Sequence, residues 1–226
     1  MLIVLEGLDG AGKSTQVKML DKYLQDAGEK TKYLHFPRYE APIYGDLIAR
    51  FLRGDFGGND EVHPQLVALL FALDRSDAAK DIRQWLSEGY CVILDRYVYS
   101  NIGFQCAKFA NNKEAAELRD WIFNYEYNIC NIPKPDLNLF LDVPVDFVDE
   151  QLKRNRCGSD RDYLEGKSDI HEASIAFQMK VRATYLEQCE KDKNFIRIDC
   201  SCSSGRMLEA EVIFEKIKKQ IAKKIK

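Results

Sequence analysis

The segment Gly7-Leu8-Asp9-Gly10-Ala11-Gly12-Lys13-Ser14 follows directly on the apolar run Leu2-Ile3-Val4-Leu5. A strand that runs into a glycine-rich turn and then into Lys-Ser at the start of a helix has the pattern of a phosphate-binding loop. Backbone N–H groups encircle a phosphate only where side chains are absent, which accounts for Gly7, Gly10 and Gly12. Lys13 then reaches the β- and γ-oxygens, the Ser14 hydroxyl is placed to hold Mg²⁺, and the helix that opens there aims the positive end of its dipole at the same phosphates. The loop also dictates context: it works only between a buried strand and a helix of an α/β fold.

The rest of the chain supplies that context. Short apolar runs at Leu2 to Glu6, Thr31 to Phe36, Cys91 to Asp95, Leu137 to Asp142 and Phe195 to Asp199 predict five strands, with longer amphipathic stretches between them. Near-continuous apolar strands such as Cys91-Val92-Ile93-Leu94 belong to a sheet buried on both faces. Strand-helix alternation makes that sheet parallel, with right-handed crossovers. The expected architecture is a three-layer α/β/α P-loop kinase fold, a single domain over residues 1–226, with its ligands at the carboxyl ends of the strands. Segments after Glu6, Phe36 and Asp95 should therefore converge on one cleft.

Composition narrows the function. A formal net charge of −3 gives no field to attract a nucleic acid, whereas small phosphorylated ligands need only local cations. No apolar run approaches the length of a membrane span, and the first strand begins at residue 2, leaving no room for a signal peptide. The expected location is cytoplasmic, with no membrane and no nucleic-acid partner. Seven cysteines without paired Cys-x-x-Cys spacing read as reduced thiols, and Cys200-Ser201-Cys202 lacks nearby partner ligands for a metal. Ile213, Ile217, Ile221 and Ile225 recur among lysines at the C-terminus and predict a covering helix with a solvated lysine face.

Two further segments carry chemistry. Asp95-Arg96-Tyr97 ends the third strand: an acid there can face the P-loop serine and hold Mg²⁺ through water, and the adjacent arginine can point into a neighbouring acceptor site. Arg154, Arg156 and Arg161, with Lys153 and Lys167, crowd a Gly- and Ser-containing stretch over residues 153–170, which reads as a basic lid. Phosphoryl transfer needs charge neutralisation and exclusion of water, and a closing loop bearing guanidinium groups supplies both. His35, His63 and His171 read as surface or packing residues, because this chemistry requires no histidine. The segment Gly54-Asp55-Phe56-Gly57-Gly58-Asn59-Asp60 fits no motif and reads as a surface loop.

Leu5 to Thr15, Phe36-Pro37-Arg38-Tyr39, Leu70-Phe71-Ala72-Leu73-Asp74-Arg75, Asp95-Arg96-Tyr97-Val98-Tyr99-Ser100-Asn101 and Pro133-Lys134-Pro135-Asp136 together resemble the thymidylate kinase family. The resemblance runs in order to about residue 185. It implies transfer of the ATP γ-phosphoryl group to dTMP, with ATP and Mg²⁺ as cofactors and a homodimer built on Asp74 to Leu86 and the helix from Ser100. It further implies that Phe71 stacks on thymine and Arg75 bonds a base carbonyl, with Asn101 and Gln105 at the base edge. Arg38 and Arg96 grip the acceptor phosphate beside Tyr39, and Phe36 and Ser100 lie in the same substrate-contacting blocks. Phe104 crowds C2′ of the sugar, Asp9 approaches the sugar 3′-hydroxyl or the metal, and Gly7 to Thr15 hold the donor phosphates. Some family members carry an arginine where this chain has Gly10; here the arginines are in the lid, so Arg154, Arg156 and Arg161 become the candidates for the γ-phosphate.

The alternatives are narrower. A nucleotide-dependent switch would show Asn-Lys-x-Asp, and the nearest string is Asn112-Lys113-Glu114-Ala115. Another deoxynucleotide or deoxynucleoside kinase would keep the fold and change the acceptor.

Overall fold

The computed structural model describes residues 1–153, 159–172 and 174–224. Five parallel strands form one sheet: β1 (Leu2–Gly7), β2 (Thr31–His35), β3 (Cys91–Asp95), β4 (Leu137–Asp142) and β5 (Phe195–Asp199), in the order β2-β3-β1-β4-β5. β1, β3 and β4 are buried at every position, as their unbroken apolar runs require of a sheet covered on both faces. The strand limits differ from the sequence expectation by one residue, at Gly7 and at His35, within the ordinary uncertainty of an element's end.

Register positions the cleft. Leu5 lies beside Asp95 on one side of β1, and Gly7 beside Leu141 on the other. From β1 the chain passes outward to β2, returns to β3, and only later crosses to β4. The carboxyl end of β1 is thus the point where connections diverge and a crevice opens.

Helices cover both faces. On one face, α1 (Lys13–Asp26) buries Gln16, Val17, Leu20 and Leu24 and packs on α8 (Ala210–Ile221), which buries Ile213, Phe214, Ile217 and Ile221. Ile213, Ile217 and Ile221 of the isoleucine stripe are therefore a core seam, with Tyr23 meeting Phe214 edge to face at 5.9 Å, and Ile225 lies outside the described residues. On the other face lie α3 (Pro64–Ser87), α4 (Val98–Cys106), α5 (Asn112–Phe123) and α7 (Ile175–Lys191). All of α4 is buried, and the ring of Tyr185 on α7 comes so close to Gly103 that a Cβ there would lie 3.1 Å from it. α5 runs on into a π-helical turn at Asn124–Ile129, α6 spans Val145–Lys153, and a 3-10 helix covers Ser159–Leu164. No helix among the described residues is long and apolar enough to cross a membrane.

α2 (Tyr44–Leu52) builds a second, smaller core beside the main one, where Ile48, Phe51 and Leu52 pack with Val67 of α3 against Tyr39, Phe71, Tyr163 and Ile170. Its position depends on Gly45. A Cβ at that residue would stand 2.2 Å from the carbonyl oxygen of Tyr39, so the backbones must separate to admit one. Gly45→Ala is therefore expected to destabilise the protein by about 1–3 kcal/mol, the usual result of forcing extra volume into a packed site. Urea unfolding measures it, and unchanged stability would contradict the close approach.

Candidate active site

A cavity of about 450 Å³ opens at the carboxyl ends of β1 and β3, a volume within the range of small-ligand sites. It is lined at one end by Asp9 to Ser14 and at the other by Phe36, Tyr39, Phe71, Arg75, Ser100, Asn101, Phe104 and Gln105, with Asp95 and Arg96 between. The convergence expected of the segments after Glu6, Phe36 and Asp95 is present.

The glycine-rich end is shaped by backbone. Gly12 has φ +77°, a conformation costly for other residues, and it turns the chain into α1. Gly7 sits at the tip of β1, where a Cβ would come within 3.3 Å of the Leu141 carbonyl oxygen. Lys13 is buried and donates to the carbonyl oxygens of Gly7 (3.3 Å) and Leu8 (3.0 Å). Burial, reinforced by the Arg96 guanidinium, brings its ammonium down to a pKa of about 8. Ser14 lines the cavity and is exposed; Thr15 is exposed and lies outside the lining.

Arg96 is the centre of charge. It adopts φ +69°, and its guanidinium reaches Asp9 Oδ1 at 2.6 Å and Ser100 Oγ at 3.2 Å while lying 5.2 Å from the ring centroid of Phe104. For Asp9 burial favours the neutral acid, but Arg96 and then Lys13 outweigh it and hold the carboxyl at about 2. Gln178 Nε2 donates to the second oxygen of Asp9 at 3.1 Å. Asp95 Oδ1 is buried without a hydrogen-bond partner, as are Asn101 Oδ1 and Gln105 Oε1. Buried polar atoms without partners are rare, and here four of them, His171 Nε2 being the fourth, belong to residues lining one cavity.

Arg75 is 2% exposed and forms a bidentate pair with Glu126, whose oxygens accept from its Nε at 2.5 Å and Nη2 at 2.8 Å. Glu126 also accepts from Asn101 Nδ2 at 3.0 Å, so one buried carboxylate orients two of the expected base-edge residues. Burial disfavours the charged guanidinium, yet Glu126 more than offsets it and raises the pKa of Arg75. Arg38 does not line the cavity. Its Nε donates to Asp74 Oδ1 at 2.8 Å and its Nη2 to Asp77 Oδ2 at 2.6 Å, which holds it along α3.

Arg154 and Arg156 lie outside the described residues, and Arg161 belongs to the 3-10 helix Ser159–Leu164. That helix and the segment after it contribute residues that sequence reasoning missed. Tyr163, Asp169 and His171 all line the cavity. Tyr163 stacks on Tyr39 with ring centroids 3.8 Å apart and donates its hydroxyl to Asp169 at 2.8 Å. Burial, with the carboxylates of Asp9 and Glu172, raises Asp169 to about 7. His171 is a packing residue as expected, but inside the cleft wall: it lies 4.9 Å from Phe104, and burial drives its pKa down to about 3, so it is neutral at physiological pH. Glu126 had a sequence signal, a lone carboxylate inside the aromatic run from Trp121 to Tyr127. Asp169-Ile170-His171 had none.

Comparison with known proteins gives a consistent result. The family model for thymidylate kinase matches residues 5–211. The thymidylate kinase of Mycobacterium tuberculosis (strain ATCC 25618 / H37Rv) is 37% identical over 189 residues, covering 83% of this chain and 85% of that one. The thymidylate kinase of Plasmodium falciparum (isolate 3D7) is 32% identical over 200 residues, covering 88% of this chain and 81% of that one. Among solved structures, thymidylate kinase from Candida albicans superposes with a TM-score of 0.72 at 28% identity, covering 98% of this chain and 91% of that chain.

The Arg75–Glu126 pair generates a prediction about stability. Removing one partner of a buried ion pair leaves an uncompensated charge and costs about 3–5 kcal/mol. Glu126→Ala should lose about that much in urea unfolding, and Glu126→Gln, which keeps an acceptor for Arg75, should lose less. Equal and small losses in both would mean that Arg75 does not depend on the carboxylate.

Proposed function

The chain belongs to the thymidylate kinase family, enzymes that phosphorylate dTMP, and we propose that its cleft holds donor and acceptor end to end across Asp9, Asp95 and Arg96. ATP gives its γ-phosphoryl group to dTMP, yielding dTDP and ADP. The observation that carries the assignment of roles is that one cavity joins a phosphate loop with its lysine to an arginine and aromatic wall.

At the donor end, Gly7 to Ser14 form the phosphate cradle, Thr15 lying outside the cavity lining, and Lys13 exchanges its two carbonyl partners for β/γ-oxygens. Mg²⁺ fits this end: Asp95 Oδ1 is a buried oxygen without a partner, and the Ser14 hydroxyl faces the same cavity. An Mg²⁺ ion at this end would be bound mainly through the nucleotide phosphates. Such an ion would neutralise charge on the transferring group. Asp9, already paired with Arg96, is a further candidate to approach the metal or the sugar.

At the acceptor end, Arg96 receives the monophosphate, Phe71 stacks on thymine, and Arg75 with Asn101 and Gln105 meets the base edge, Glu126 holding Arg75 in place. Phe36, Tyr39, Ser100 and Phe104 close the acceptor pocket around sugar and phosphate. Arg38 would join them from outside the cavity, where Asp74 and Asp77 hold its Nε and Nη2. The acceptor is already a phosphate dianion, so no strong general base is needed, and positioning with charge neutralisation carries the step. The lid over residues 153–170 would bring Arg154, Arg156 or Arg161 to the γ-phosphate. We further assign one domain over residues 1–226, a homodimer and a cytoplasmic location.

A coupled ADP-release assay across dTMP, dUMP, UMP, CMP and thymidine tests the acceptor. The expected result is the highest kcat/KM with dTMP and none with thymidine, since Arg96 needs a phosphate; preference for an unphosphorylated nucleoside would contradict it. Lys13 makes a second, separable test. A triphosphate beside it favours the ammonium, so binding of ATP at about pH 8.5, above the free-enzyme value, should take up protons, and at about pH 6.5 Lys13 should contribute none. Calorimetry in two buffers of different ionisation enthalpy measures the uptake. Lys13→Ala should abolish it and lower turnover on the order of 10²-fold or more.

A further inference from the structure

Arg53 follows the last residue of α2, and Gly54 and Asp55 open the segment that fits no sequence motif, yet together they hold the cleft wall. Arg53 Nη1 donates to the carbonyl oxygen of Tyr163 at 2.8 Å and to Glu165 Oε1 at 3.0 Å, while its Nε donates to Asp55 Oδ2 at 3.1 Å. Asp55 Oδ1 in turn accepts from Lys167 Nζ at 2.6 Å. One turn of chain is thereby bonded at Tyr163, Glu165 and Lys167. Two backbone features continue the seam: Ile170 N donates to the Leu52 carbonyl oxygen at 2.9 Å, and Gly54, with φ +76°, approaches so closely that a Cβ would lie 3.3 Å from Ile170 Cγ2.

Arg53 is the buried member of this network, its side chain 9% exposed while Asp55 is 22% and Glu165 69% exposed, and its planar fork serves three acceptors that a single ammonium could not satisfy in the same geometry. What it holds matters for the site. Tyr163, Asp169 and His171 line the acceptor half of the cavity, and Tyr163 stacks on Tyr39. Tyr163 stands near the end of the 3-10 helix, and Asp169 and His171 come from the irregular segment between Leu164 and Ile175, so their placement depends on what these residues are bonded to.

We infer that Arg53 is a positioning residue for the acceptor: with Asp55 it pins residues 163–171 against α2, fixes Tyr163, Asp169 and His171 as the wall of the acceptor half, and so sets affinity for the monophosphate rather than for ATP. This rests on the reading that dTMP occupies that half of the cavity. Arg53 touches no substrate itself.

The test uses the full chain with Arg53→Met, which keeps the apolar stem, Arg53→Lys and Asp55→Lys. Binding of dTMP is measured by calorimetry, KM for dTMP and for ATP by steady-state kinetics, and folding by thermal unfolding. Displaced positioning groups can cost up to about a hundredfold, and a wall held by several contacts should lose roughly tenfold. Arg53→Met should weaken dTMP binding and raise its KM by about that factor while KM for ATP stays within about twofold. Arg53→Lys should recover part of the loss. Asp55→Lys, which sets a like charge against both Arg53 and Lys167, should likewise weaken dTMP binding, and a rise in KM for dTMP without one for ATP is the split that a merely stabilising role would not produce. Unchanged dTMP affinity in Arg53→Met, or an equal rise in KM for ATP, would overturn the inference alone. Wild-type protein that binds no dTMP would overturn the functional reading and this inference with it.

Discussion

At the carboxyl end of the central strand lies a carboxylate with no exposure to solvent, and the arrangement of the cleft depends on it. Glu6 accepts from the backbone N–H groups of Tyr97 (2.8 Å) and Ser100 (3.1 Å) and from the hydroxyls of Ser100 (2.5 Å) and Tyr185 (3.0 Å). Burial raises its pKa, and these hydrogen bonds together with Arg96 oppose that rise. A buried charge is tolerable only when satisfied this fully, so the residues that satisfy it are held in place. Those residues are the start of α4 and the middle of α7. Arg96 lies between β3 and that anchored start, where its left-handed backbone costs on the order of 1 kcal/mol and persists because the amide next to it is fixed.

From that anchor the site follows as a chain of charges of alternating sign. Arg96 holds Asp9, and Asp9 with Gln178 ties the phosphate loop to α7. Lys13, its pKa lowered by burial and by Arg96, waits on two carbonyl oxygens, and Asp95 presents an oxygen with no partner. Arg75 repeats the logic at the far end with Glu126. The donors are thus in place before any ligand arrives, and a charged acceptor and donor exchange places with internal partners instead of requiring new geometry. Such preorganisation is the main resource of phosphoryl-transfer enzymes, where there is little covalent chemistry for the protein to perform.

The strands and the phosphate loop were legible in the sequence because each is a local pattern: an unbroken apolar run, or glycines at fixed spacing before Lys-Ser. The position of Phe71, Arg75, Asn101 and Gln105 in one cavity also follows from local blocks, through their resemblance to a family. What holds those blocks was not legible. Arg75 and Glu126 are 51 positions apart, and only the π-helical turn that follows α5 brings the carboxylate under α3. Arg38 reads as an acceptor-site arginine, whereas Asp74 and Asp77, one turn apart on α3, bond it outside the cavity. The segment at residues 54–60 reads as a surface loop because its contacts are with Lys167 and Ile170, more than a hundred residues away. Long-range ion pairs between polar residues leave no periodicity, and this is where the reading from sequence ended.

The central claim is that one preorganised cleft holds ATP and dTMP end to end, phosphates meeting between Lys13 and Arg96. A single molecule in which thymidine and adenosine are joined 5′ to 5′ through a chain of phosphates measures this most directly, because it engages both ends at once and makes the second binding event intramolecular. Titrated by calorimetry, it is predicted to bind at least about 10²-fold more tightly than ATP or dTMP alone, with one molecule per chain. Affinity no better than that of ATP alone, or displacement of the linked molecule by only one of the two nucleotides, would contradict the account.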